Sequence, residues 1–356
     1  MKTGTITFSL DTGKCPRWLF ERMKILAGIM SEIIIEEFGE EEFLKKLSDP
    51  FWFQAFGCAL AFDWNSSGLT VTTTAALKLA LQERDLGIYV CGGKGKTSRK
   101  TPEEILILGE KLGFDPYHYI NYSKLIAKID NSLIQDGFNI YHHTFIITKN
   151  GNFAVIQQGM NTSFSLARRY HWWSKALKED ITLEPHTGIV SQKVFNKVLN
   201  LTAKESLENK NLIVELVNSP KELIKDLKFL EKPSKSLFLP NIEFKYHPVL
   251  EERFDIKRLK KIIEKASFLE PKKIEELLLI EGVGPKTIRA LSLIGELIYS
   301  KPASKIDPAR YSFAHGGKDG TPFPVDKKTY DETIRILNKA LIISRQKKLF
   351  IKSNAS

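Results

Sequence analysis

Cysteine is scarce in this chain: Cys15, Cys58 and Cys91 are the only three among 356 residues, all in the first third and none in a CxxC pair. That spacing excludes a zinc ribbon and a disulfide framework, and it suits a reducing compartment. No apolar run is long enough to cross a bilayer, and the opening MKTGTITFSLDTGK lacks the apolar centre of a signal peptide. A cytoplasmic protein with no membrane partner is therefore expected. A complete Walker A loop is missing too, because GxxxxGK[ST] ending at Gly95-Lys96-Thr97 would need glycine where Val90 stands. ATPase activity is disfavoured on that ground.

Positive charge, by contrast, is abundant and unevenly spread. The formal net charge is +11; residues 241–356 hold 23 Lys/Arg against 15 Asp/Glu, or +8, and residues 1–240 hold 30 against 27, or +3. A polyanion is the natural partner of such a C-terminal third, and DNA is the first choice. The length allows two domains with a core in each.

In chain order, 17–38 has helical periodicity and stops at Gly39, and EEEFLKKL forms a short helix closed by Ser48-Asp49-Pro50. Six aromatics fall within FWFQAFGCALAFDW, of which Phe51, Phe53, Phe56 and Phe62 read as core, while Asp63 caps a turn or helix. A helix over 72–86 leads to a strand at 87–91 and to GGKGKTSRKTPEE. Lys94, Lys96, Arg99 and Lys100 make this a basic loop for a nucleic-acid backbone, with its glycines as a possible phosphate cradle.

Two strands, 141–148 and 152–158, meet at the turn Lys149-Asn150-Gly151, a strong hairpin signal. Around them gather Lys128, Asp130, Gln135, Asp136, His142, His143, Gln157 and Gln158, and His142 and His143 must point to opposite faces. One alternative places a nuclease centre here, on Asp130, Asp136, His143 and Gln157, with Mg or Mn held by Asp130, Asp136 and His143. Arg168 and Arg169, followed by Tyr170, Trp172 and Trp173, would serve DNA if exposed and would be a helix face if buried. From 232 to 250 the chain is proline-punctuated and aperiodic, as in a linker.

The residues 271–337 carry the clearest functional pattern. A helical stretch with Ile274, Leu277 and Leu278 runs into Glu281-Gly282-Val283-Gly284, and Pro285 opens the next helix. Glycines at 282 and 284 permit a tight turn and close approach of a phosphate to the amides. GVGPKT followed by PFPVD resembles the helix-hairpin-helix DNA glycosylase superfamily. The resemblance implies that Lys286 attacks the sugar C1′ and that Asp326 assists departure of the base, with no cofactor. Asp307 and Asp319 are rival carboxylates, and His315 and Lys318 lie in a polar loop able to close over DNA. The implied DNA contacts are Gly282, Val283, Gly284, Lys286 and Thr287.

Taken whole, the chain also resembles a prokaryotic family of unknown function that shares SDPFWFQAFG, DWNSSG, GGKGKTSRKTPEE, QDGFNIYHHTF, QQGMN and HGGKDGTPFPVD. The expected architecture is α+β: a mixed N-terminal domain with a β-hairpin (1–231), a linker (232–250), a helical helix-hairpin-helix domain (251–345) and a basic tail (346–356). The expected function is DNA processing of the repair type, as a glycosylase with AP-lyase activity. A metal-dependent nuclease and a non-enzymatic DNA-binding adaptor are the alternatives.

Overall fold

The computed structural model describes residues 15–62, 66–196, 198–227, 254–309 and 327–353. Asp63, His315, Lys318, Asp319 and Asp326, and the 232–250 linker, lie outside them. No helix among the described residues is long and apolar enough to cross a membrane.

Three helices open the chain: α1 (Arg17–Ser48), α2 (Pro50–Ala59) and α3 (Gly68–Gln82). α1 breaks at Gly39 (φ 85°), where the sequence ends one helix and begins another. Asp49 caps α2 by accepting from the amides of Phe51 and Trp52, and Pro50 takes the first helical position, which needs no donor. Strand β1 (Ile88–Lys94) and helices α4 (Thr101–Leu112) and α5 (Pro116–Lys128) follow, and α5 continues into a π-helical turn, Ile129–Leu133.

The centre is an antiparallel sheet of β1, β3 (Asn139–Thr148), β4 (Phe153–Asn161), β5 (Leu166–Trp173) and β6 (Gly188–Ser191), in that spatial order. The β3–β4 hairpin is the one expected from sequence. β5 is not the helix face that ARRYHWW suggested: it is paired on both sides and buried on both faces, so polar and apolar residues do not alternate along it. A two-residue strand β2 (Ile134–Gln135) pairs with β7 (Leu199–Asn200) beside the main sheet.

Each face of the sheet carries a helical layer. Ile88, Val90, Ile146, Ala154, Ile156 and Trp173 pack against α1, α2 and α3. On the other face Cys91, Phe145, Ile147, Val155 and Trp172 meet α4, α5 and α6 (Leu207–Val217). The same core runs on without a break into α8 (Ile256–Phe268), α9 (Ile274–Leu279) and α10 (Pro285–Leu297), while α7 (Pro220–Asp226) covers its end. The last helix, α11 (Lys327–Ser353), returns to the first layer: Tyr330 is buried there, its hydroxyl donating to the Leu60 carbonyl, and Arg22 pairs with Asp331.

Candidate functional site

Sheet register turns dispersed sequence into one polar band. Lys94 is opposite His142, His142 opposite Gln158, and Gln158 opposite Arg169; one residue along, Gly93, His143, Gln157 and Tyr170 are aligned in the same way. Alternation sends the first row to the α1–α3 face and the second to the α4–α5 face. The adjacent histidines therefore part company, as the sequence required.

On the α4–α5 face a hydrogen-bonded chain crosses the core. Ser123 Oγ lies 2.8 Å from His143 Nε2, His143 Nδ1 lies 2.8 Å from Gln157 Oε1, and Gln157 Nε2 donates to Asp130 at 2.5 Å. Trp172 Nε1 donates to the same oxygen of Asp130 at 2.9 Å, and His186 Nε2 lies 2.6 Å from the other. The direction of the chain follows from the donors. Because the Gln157 amide nitrogen faces Asp130, its oxygen must accept from His143 Nδ1–H, leaving His143 Nε2 to accept from the Ser123 hydroxyl. Burial lowers the pKa of His143, against the opposing pull of Gln157 and Asp130.

A second buried cluster joins Asp136, Arg168 and Asp307. Arg168 donates to Asp136 at 2.7 Å and to both oxygens of Asp307 at 2.9 and 2.7 Å, and the Tyr170 hydroxyl donates to Asp136 at 2.7 Å. The guanidinium packs against the Phe138 and Phe195 rings, 4.6 and 5.8 Å from their centroids. Burial acts to lower the Arg168 pKa, but the two carboxylates outweigh it and the net shift is upward; burial, with Asp307 as a second negative charge, raises Asp136. Asp307 is thus committed to a buried ion pair. Asp130, Asp136 and His143 do not converge as a metal set: the carboxylates are engaged by separate donors, and no group of three or more His, Cys, Asp or Glu among the described residues is arranged to hold a metal.

Arg169 is corrected along with Arg168. Both are fully buried, as is Tyr170, while Trp172 and Trp173 are 0% and 7% exposed, so none offers itself to DNA. Arg169 donates to His171 Nε2, to Gln54 and to the Pro50 carbonyl, and burial pushes its pKa down to about 9. Next to it Gln158 accepts from Thr70 and donates to Tyr141 and to the Ser67 carbonyl.

The glycine-rich loop has exposed Lys94, Lys96, Arg99 and Lys100, but its first amide is already used. Gly92 N–H donates to Glu104 at 2.6 Å, Lys78 bridges that carboxylate and the Gly92 carbonyl, and Gly95 N–H donates to Tyr141. An internal carboxylate holds the place of a phosphate at the start of the loop. Gly92 itself sits at φ 89°, and a Cβ there would lie 2.3 Å from the His143 carbonyl oxygen.

The expected turn between α9 and α10 is present. Gly282 adopts φ 95°, Val283 N–H donates to the Ile280 carbonyl, and Ile288 N–H donates to the Gly284 carbonyl. Gly282 and Lys286 are exposed and Gly284 is half-buried, whereas Val283 and Thr287 are buried, so their side chains are not available to DNA. A lysine nucleophile is favoured by partial burial, which helps it lose its proton, and Lys286 is exposed. The residues that hold the turn come from elsewhere: Lys128 Nζ donates to the Val283 carbonyl at 2.5 Å, and Gln135 Nε2 donates to the Pro285 carbonyl at 2.9 Å. Burial lowers the Lys128 pKa. Ser123 gave no signal in sequence, since only the packing of α5 on β3 places it beside His143.

An α+β protein with a polar band through its sheet and a glycine turn docked beneath it is the class that these features define. A family model described as "Protein of unknown function (DUF763)" matches residues 4–325, and the chain belongs to that family. Neither a curated protein nor a solved structure matches it.

Proposed function

We propose that this protein binds DNA along its backbone through the turn between α9 and α10 and processes it by amine chemistry, as a glycosylase with AP-lyase activity. One observation carries the binding. The carbonyls of Val283 and Pro285 face inward to Lys128 and Gln135. In a trans peptide the next N–H points the opposite way, so the Gly284 and Lys286 amides face away from that contact. Two amides, the exposed Lys286 ammonium and the positive end of the 13-residue helix α10 together suit a phosphate.

The chemistry rests on the resemblance of GVGPKT and PFPVD to glycosylases. Lys286 would attack C1′ of an abasic sugar as the free amine, forming an imine and releasing water. Loss of the C2′ proton then breaks the C3′–O bond and frees the phosphate. Asp326 is the carboxylate that the resemblance assigns to the departure of the base.

Borohydride trapping on an abasic-site duplex, with and without EDTA, tests this reading. A covalent adduct that ignores EDTA and is lost in Lys286→Ala is expected. Metal-dependent cutting of undamaged DNA without an adduct would instead indicate a nuclease. Salt-sensitive binding with no processing would leave an adaptor.

A further inference from the structure

A turn with glycine at 282 and at 284 is intrinsically soft, because glycine loses more conformational freedom on ordering than any other residue. Its amides can hold a phosphate only if something outside the turn fixes their direction. The two contacts that do so come from one short stretch, Lys128 at the end of α5 and Gln135 in β2, on either side of the π-helical turn Ile129–Leu133. They grip the carbonyls on the two sides of Gly284, so the peptide units that carry the Gly284 and Lys286 amides are each pinned at their oxygen.

Gln135 is itself oriented. Its oxygen accepts from Arg289 Nε at 2.7 Å, and its nitrogen also donates to the Ser132 carbonyl at 2.9 Å, which leaves the donor end facing Pro285. Arg289 is buried in the first turns of α10, so flipping the amide would set its NH2 donor against the donor of a buried guanidinium.

We propose that Lys128 and Gln135 are positioning residues of the DNA-binding turn, holding its carbonyls inward so that the Gly284 and Lys286 amides face the phosphate. The inference depends on the reading of this turn as a DNA grip. Lys128 is on the carbonyl side, away from the bound phosphate, and its charge makes no phosphate contact.

The test is duplex-DNA affinity of the full chain across a salt series. Lys128→Met and Gln135→Leu should each weaken binding about 10-fold through lost preorganisation. The slope of log affinity against log salt should stay unchanged, and Lys128→Arg should restore binding. A slope reduced by about one in Lys128→Met would make Lys128 a direct phosphate contact and overturn the positioning role. Unchanged affinity in both variants would overturn it too. Should a variant fail to fold, amide NMR of the wild type decides: the Gly284 and Lys286 resonances must shift on adding duplex, and binding that leaves them unmoved sinks the proposal. A wild type that binds no duplex at all refutes the grip itself.

Discussion

His142, His143 and His171 are each at most 5% exposed and each sits in the central sheet. Burial, first, and then the neighbouring His143 and Lys94 push His142 down to about 3; His171 is lowered well below its ordinary value and His143 is lowered too. The folded protein therefore refuses protons that the unfolded chain accepts below its ordinary histidine pKa of about 6.5. Stability from these residues is present above that pH and drains away as the pH falls towards the folded values, at about 1.4 kcal/mol per pH unit for His142. Urea titrations at pH 7 and pH 5 should show a clear drop in midpoint at the lower pH. A midpoint flat across that interval would mean that the histidines are charged when folded.

Elements are joined here by buried ion pairs as well as by apolar contact. Arg168 on β5 ties the loop before β3, through Asp136, to the segment after α10, through Asp307, and Phe195 N–H also donates to Asp307 at 2.8 Å. Breaking such a buried pair leaves a charge without compensation and costs about 3–5 kcal/mol. Asp307→Asn should lower the denaturation midpoint by a loss of that order. If it instead abolished borohydride trapping while the midpoint held, Asp307 would be a reacting carboxylate after all. The π-helical turn has a similar connecting role: Lys128, just before it, reaches the turn between α9 and α10, and Asp130, within it, ends the Ser123–His143–Gln157 chain.

For the molecule as a whole, the C-terminal helices are part of the main core. Leu199, Leu201, Ile213, Val214 and Leu216 share one apolar cluster with Ile256, Leu259, Ile274, Leu277, Ile288 and Leu291. Removing the second set would expose the first to water at roughly 25 cal/mol for each Å² of apolar surface. A fragment of residues 1–231 should accordingly melt without cooperativity or aggregate, as measured by circular dichroism and light scattering. A sharp transition matching that of the full chain would show two independent folding units.

Local signals in the sequence were sufficient for local structure. Lys149-Asn150-Gly151 between alternating residues specified the β3–β4 hairpin, Asp49-Pro50 specified the start of α2, and the glycines with Pro285 specified the turn before α10. The gathering of Asp130, His143 and Gln157 near one hairpin was legible for the same reason: two of them are in it and the third is close by in the chain. Exposure was not legible. Arg168 and Arg169 read as surface cations because a strand buried on both faces has no alternation to betray it, and their burial depends on Asp136, Asp307, Gln54 and Pro50, which are distant in sequence. Likewise Ser123 gained a partner, and the turn its support from Lys128 and Gln135, only once α5 was packed between the sheet and α9. Hydrogen-bond direction and solvent access are sums over such remote neighbours, so the tertiary structure alone decided them.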